Sequence, residues 1–160
     1  MRIREAGPDD FDGIWPIFSD VVRQGETYPY PRNTDRDTAR RLWLETPRRS
    51  LVVEDHGAIV GTYYIKDNQP GLGSHVCNRG YMVHPAHRRR GIGRAMCRHS
   101  LGLARELGYR AMQFNLVVVT NTASVRLWQA MGFTQVGRLP GAFAHPTHGY
   151  VDALVMYRVF

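Results

Sequence analysis

The sequence predicts an α/β protein, a mixed sheet with helices interspersed, and three observations carry that reading. Short apolar or alternating runs recur along the whole chain as strands do. Between them lie segments whose apolar residues return every three or four positions, the spacing of a helix with one buried face. Glycines stand where those segments should stop.

In chain order, residues 2–5 (RIRE) read as a first strand. Pro8-Asp9-Asp10 then opens a helix with Ile14, Ile17, Phe18, Val21 and Val22 on one face. Residues 25–34 are turn-rich and aromatic, and a second helix follows from Asp35 to Glu45. Residues 51–54 and 58–66 are strands joined by a hairpin turn at Asp55-His56-Gly57. Residues 68–73 form a Pro/Gly loop, and 76–83 a strand ending at His84-Pro85. A third helix begins near Gly91, aligns Ile92, Ala95, Met96, His99 and Leu103, and stops at Gly108. Residues 111–118 make another strand. Asn121 is placed to cap a helix that runs to Met131 and closes at Gly132. A strand at 134–137, a Pro- and His-bearing loop at 140–149 and a last strand at 151–158 complete the chain.

With 160 residues, 43% apolar and 22% charged, residues 1–160 are expected to form one compact domain. The N-terminus is charged at once, no run spans a bilayer, and two cysteines cannot build a disulfide framework. A cytoplasmic protein with no membrane partner is expected. The net charge of +7 suits an anionic partner, either a nucleic acid or a phosphorylated cofactor. Its concentration at Arg88-Arg89-Arg90, beside Gly91-Ile92-Gly93, favours the cofactor. His75, Cys77, His84 and His87 lack metal-ligand spacing, so no metal is expected. His84 reads as the mouth of a site, with His145 and His148 on its far side. Tyr28, Tyr30, Tyr63 and Tyr64 are pocket-wall candidates, although core packing accounts equally for the second pair.

The segment 88–93 follows a strand and opens a helix. N–H groups in a first helical turn lack internal partners, and the helix dipole favours negative charge there. Glycines clear the approach and arginines add forked donors, so a pyrophosphate would fit. The segment is neither a Walker loop nor a dinucleotide fingerprint. It also reads as a basic turn with ordinary helix-start glycines.

Arg88-x-x-Gly91-x-Gly93 resembles the coenzyme A signature of the Gcn5-related N-acetyltransferases (GNAT). Tyr81-Met82-Val83-His84-Pro85 is similar to that family's fourth strand, and Asn121 through Gly132-Phe133 to its later helix ending in Gly-Phe. The resemblance implies a central sheet of six or seven strands, with the fourth and fifth splayed, flanked by about four helices. It implies that the pantetheine arm of acetyl-CoA lies between those strands, pairing with backbone groups of Met82 and Val83. The Val83 N–H would stabilise the oxyanion. N–H groups of Arg88, Arg89, Arg90, Gly91, Ile92, Gly93 and Arg94 would hold the pyrophosphate. Asn121 would contact the cofactor arm as well as cap its helix.

Two positions depart from the family. Trp128 stands where many relatives place a proton-donating tyrosine; an indole N–H donates a hydrogen bond but is no general acid. A core or pocket-wall role also accounts for it. Asn78 stands where relatives acting on phosphinothricin-like compounds often carry a glutamate base. Asn78, Asn115 and Asn121 together resemble the fungal enzymes that acetylate proline analogues such as azetidine-2-carboxylate. By that resemblance Asn78 and Asn115 bind the acceptor. Asn115, expected across the splay from Val83, orients the reacting groups, with a strand-end irregularity as its alternative role. The expected activity is acetyl transfer to the amine of a small carboxylate-bearing molecule. Acetylation of protein N-termini or lysines, or cofactor binding without catalysis, are the alternatives. No nucleic-acid partner is expected, and a homodimer is among the expected assemblies.

Overall fold

A computed structural model describes residues 1–160. Seven strands form one sheet: β1 (Arg2–Glu5), β2 (Arg49–Asp55), β3 (Ala58–Asp67), β4 (Val76–Val83), β5 (Ala111–Val118), β6 (Thr134–His145) and β7 (Gly149–Val159). Their spatial order is β1-β2-β3-β4-β5-β7-β6. All neighbours run antiparallel except β4 and β5, which are parallel. Four helices cover the faces: α1 (Phe11–Gln24), α2 (Arg36–Arg40), α3 (Ile92–Glu106) and α4 (Thr122–Ala130).

The helices fold where their apolar residues make a stripe. Ile14, Ile17, Phe18, Val21 and Val22 of α1 are all buried, and Gly25 closes the helix in the left-handed region at φ +68°. Asp35 caps α2 by accepting the Thr38 N–H at 2.8 Å. The helix continues over Arg41–Glu45 as a wider π turn that seats Trp43 in the core. On α3, Ile92, Met96, Cys97, Ser100, Leu101 and Ala104 face the sheet.

Apolar cores result on both faces, with a third, smaller cluster of Leu51, Val53, Val60, Tyr63, Ile92 and Met96 beside α3. Phe11, Ile14, Phe18, Trp43, Val52, Tyr64 and Met82 pack between α1, α2 and the sheet. Cys97, Leu101, Met112, Phe114, Trp128, Phe133 and Met156 pack beneath α3 and α4.

The C-terminal hairpin differs from expectation. The segment expected as a loop at 140–149 is mostly strand, since β6 runs through Pro140 to His145. β6 is the edge strand, where a proline's missing N–H deprives no neighbour. The ladder is irregular between Leu139 and Phe143, and the Gly141 N–H finds the Asp152 carboxylate at 2.9 Å instead.

Candidate active site

β4 and β5 pair at only two positions, Val76 with Ala111 and Cys77 with Met112, and then part. Asn78 sits at the vertex. Its Nδ2 donates to the Gln113 carbonyl across the gap at 3.0 Å, and its Oδ1 accepts from the Tyr64 hydroxyl at 3.3 Å. Beyond Asn78 the strands enclose a cleft of about 650 Å³.

The β4 backbone facing this gap follows from the ladder on its other side. His84 donates to the Val60 carbonyl at 2.9 Å, and β3 pairs with β4 in unbroken register from Gly61–Val83 to Asp67–Cys77. In an antiparallel ladder alternate residues turn their N–H and C=O toward one neighbour. Met82, Gly80 and Asn78 therefore bond β3, while Val83, Tyr81 and Arg79 address the gap. The expectation that Met82 offers backbone groups to a cofactor arm is corrected: Thr62 already uses them, and Tyr81 is the second gap-facing residue beside Val83. Met82 contributes its buried side chain to the core.

At the outer end of the gap, none of the N–H groups of residues 89–94 has a hydrogen-bond partner; the first helical bond is Ala95 to Gly91 at 3.0 Å. Arg89 and Gly91 adopt φ of +61° and +75°. Such left-handed residues curl successive N–H groups into an anion-binding concavity, and a non-glycine held there stores strain characteristic of binding sites. Gly93 and Arg88 line the cleft. Arg90 instead turns back to His87 Nδ1 at 2.7 Å and Asp55 at 3.4 Å, and the Ile92 side chain is core. Arg94 is exposed outside the cleft lining. Six free donors at a helix start, with a guanidinium beside them, fit a pyrophosphate.

The opposite half of the cleft is aromatic. Tyr28 and Tyr30 stack at 5.7 Å, and Tyr28 meets Trp43 edge-on at 5.8 Å. They come this close to β4 because residue 80 is glycine; a Cβ there would lie 2.7 Å from Tyr64 and 3.0 Å from both Trp43 and the Tyr28 hydroxyl. Burial pushes the Tyr28 and Tyr64 phenols well up, so both remain neutral donors. The charged lining consists of Lys66, Arg79 and Arg88 against one carboxylate, Glu26.

Asn115 lies at a bulge where the β5–β7 register shifts between Phe114 and Val117. The bulge turns its exposed amide into the cleft, with Nδ2 donating to Asn68 at 2.8 Å and Oδ1 accepting from Gln113 at 2.9 Å. Continuing the β4–β5 register sets Asn115 level with Gly80, not Val83 as expected from sequence. Asn121 caps α4, accepting the Ser124 N–H at 3.4 Å, and also lines the cleft.

Trp128 is both core and wall: it packs on Phe114 at 4.7 Å and Tyr81 at 5.1 Å and lines the cleft. Its indole N–H has no protein partner but is not sealed, because Arg79 Nε is the one fully buried side-chain nitrogen or oxygen left unpaired. The donor is thus unpaired and not fully buried, on a residue that lines the cleft. His84, His145 and His148 are not among the lining residues. His84 accepts from the Ala86 N–H, and His145 organises the β6–β7 turn by accepting from Thr147 and His148. Sequence reasoning missed Tyr81, Lys66 and Glu26. The alternation along β4 would have found Tyr81; the other two gave no signal beyond their charge.

Comparison with known proteins agrees with this geometry. The model of the acetyltransferase (GNAT) family matches residues 15–133. The N-acetyltransferase aca1 of Schizosaccharomyces pombe is 34% identical over 151 residues, covering 84% of this chain and 72% of that protein. The L-methionine sulfoximine/L-methionine sulfone acetyltransferase of Salmonella typhimurium is 29% identical over 145 residues, covering 88% and 84%. Among solved structures, a GCN5-related N-acetyltransferase from Kribbella flavida superposes with a TM-score of 0.94 at 43% identity, over 99% of this chain and 97% of that one. Structures of such proteins have been solved with acetyl-CoA. The free amides at the start of α3, the parted strands and these matches converge: the chain belongs to the GNAT family and is an N-acetyltransferase that uses acetyl-CoA.

Proposed function

We propose that the enzyme transfers acetyl directly to the amine of a small carboxylate-bearing acceptor, an amino acid or analogue. The observation that carries this reading is the charge of the cleft: the Lys66 ammonium and the Arg88 guanidinium line it against the one carboxylate of Glu26, beside an aromatic wall. Such a lining attracts anionic groups, whereas a polycationic acceptor needs carboxylates. The Salmonella relative, named for two amino-acid analogues, supports the same class.

When bound, acetyl-CoA supplies the activated acetyl thioester. The amides of residues 89–94 and the Arg88 guanidinium hold its phosphates. The gap-facing N–H of Val83 receives the thioester oxygen, so charge developing there meets a fixed dipole, and the gap-facing backbone of Tyr81 pairs with the pantetheine arm. Asn78 and Asn115 orient the acceptor from the two strands, and Asn121 borders the cofactor arm. Attack of the amine on the thioester carbonyl would break the carbon–sulfur bond; the departing thiolate would accept a hydrogen bond from the Trp128 N–H and take its proton from water. The ammonium proton leaves through water, with Glu26 the one carboxylate on the lining to take it.

The test is CoA-thiol release across L-amino acids, their sulfone and sulfoximine analogues, proline analogues, N-terminal peptides and aminoglycosides. Turnover confined to free carboxylate-bearing amines is the expected result. Turnover confined to peptides or polycations would overturn it.

A further inference from the structure

The chain carries 21 basic side chains, and Lys66 is the sole lysine among them. That one ammonium lies in the cleft, on β3 directly opposite Asn78. It shares a face of the sheet with Tyr64, and its Nζ stands 5.3 Å from the centre of the Tyr64 ring. The cation–π contact holds the ammonium against the aromatic wall without neutralising it.

Every other basic group on the lining is committed elsewhere. Arg79 points to the opposite face of β4, where its guanidinium donates to the Tyr81 hydroxyl at 3.2 Å and Cys77 Sγ at 3.8 Å. Arg88 stands at the phosphate cradle beside Gln24. Lys66 forms no ion pair: the eight in the structure involve arginines or the N-terminus. The neighbouring Asn78 and Asn115 are neutral amides and carry no counter-charge. A half-buried ammonium with three donors and no ion-pair partner is set up for an incoming carboxylate.

We propose that Lys66 is the carboxylate receptor of the acceptor site, and that it makes the enzyme select free α-amino acids over the corresponding amides. The inference rests on the acceptor class proposed above and names the residue that reads it. Placement at the vertex end of the cleft, away from the cradle at residues 88–94, separates this charge from the phosphates. One anionic molecule is thereby directed to each end.

The experiment compares L-methionine sulfone with its carboxamide as acceptors for the wild type and for Lys66→Met and Lys66→Arg. In the wild type the acid should be preferred. Lys66→Met should raise KM for the acid about tenfold or more, leave its kcat within about threefold, and collapse the acid-over-amide ratio. Lys66→Arg should restore part of that ratio, and coenzyme A affinity measured by calorimetry should match the wild type in both variants. If Lys66→Met binds coenzyme A normally and keeps the full acid-over-amide ratio, Lys66 is not the receptor, although the acceptor class stands. A wild type indifferent between acid and amide overturns both.

Discussion

The hydroxyl of Tyr28 donates to the carbonyl oxygen of Tyr81 across 2.8 Å. Tyr81 is one of the β4 residues whose backbone faces the gap, so the bond ties the aromatic loop at 25–34 to the strand that borders the cofactor. Burial holds the Tyr28 phenol far above its usual titration range, and the bond persists through any workable pH. Tyr28→Phe keeps the ring stack and removes the donor. Acceptor KM should rise by a factor equivalent to about 1 kcal/mol, while coenzyme A affinity changes little. Steady-state kinetics with both substrates varied would show whether the effect is confined to the acceptor.

The cradle offers a sharper separation of fold from binding. A Cβ at Gly93 would rest 3.6 Å from Leu127, ordinary contact, so the fold should tolerate a small side chain there. The same side chain would stand over the free amides of α3. Gly93→Val is expected to weaken coenzyme A binding by roughly 2 kcal/mol or more, through loss of the phosphate's approach to those donors. Arg88→Ala should cost about 1.5 kcal/mol, with a dependence on salt shallower than that of the wild type. Calorimetry at two ionic strengths reads both.

Trp128 makes a prediction about pH. An indole does not ionise in the working range, so the rate should rise as the acceptor amine loses its proton and then stay level into alkaline solution. Trp128→Tyr introduces a phenol that titrates, and its profile should acquire a descending limb near pH 10. Trp128→Phe should remove the donor and lower kcat at every pH, by about fivefold, without that limb. A tryptophan acting solely as packing predicts equal kcat for Phe and wild type.

Asn115 and Asn78 separate positional from structural effects. Asn115 is exposed and bonded only to the side-chain amides of Asn68 and Gln113, so Asn115→Ala should shift stability by no more than about 0.5 kcal/mol. Its effect should lie in acceptor turnover. Asn78→Ala strips partners from the Tyr64 hydroxyl and the Gln113 carbonyl at the vertex of the cleft, and about 1–3 kcal/mol of stability should go with it. Thermal melts beside kinetics would tell the two roles apart.

At the far edge of the sheet, Arg4 donates to Asp10 at 2.7 and 2.8 Å and to Glu54 at 2.8 Å. The Arg4 hydrogen bond, aided by the Gly7 N–H, holds the Asp10 carboxyl below its ordinary value. A carboxyl whose folded value is depressed contributes stability that is complete above its unfolded value and disappears as pH falls through the folded one. Asp10→Asn should cost about 1 kcal/mol near pH 7, and the difference should shrink below about pH 4. Denaturation midpoints at the two pH values check the sign.

Much of the fold could be read from local signals. The α1 stripe, the Asn121 cap and the glycine stops at 108 and 132 are all decided within a few residues, and they stand where expected. The run through Pro140 was not legible, because whether a proline interrupts a strand depends on whether that strand has a neighbour on its N–H side. Site geometry was legible only as far as it is local. Free amides at residues 89–94 follow from the strand–loop–helix order. Which β4 residues face the gap depends on register with β3, and the level of Asn115 on a two-residue parallel contact. The role of Lys66 needs both: a charge is visible in the sequence, but its lack of an ion-pair partner is a property of the folded chain.

The two-residue contact between β4 and β5 has a mechanical consequence. Interrupted there, the sheet consists of two panels, one of four strands and one of three, riveted at a single corner and otherwise joined by side chains. A ligand lying in the seam would complete the ladder and brace one panel against the other. Amides at Tyr81 and Val83 should accordingly exchange with deuterium faster in the apo protein than their strand neighbours, and slow sharply once the seam is filled. Saturation at a hundred times Kd should add about 2.7 kcal/mol to the resistance of the whole molecule against unfolding.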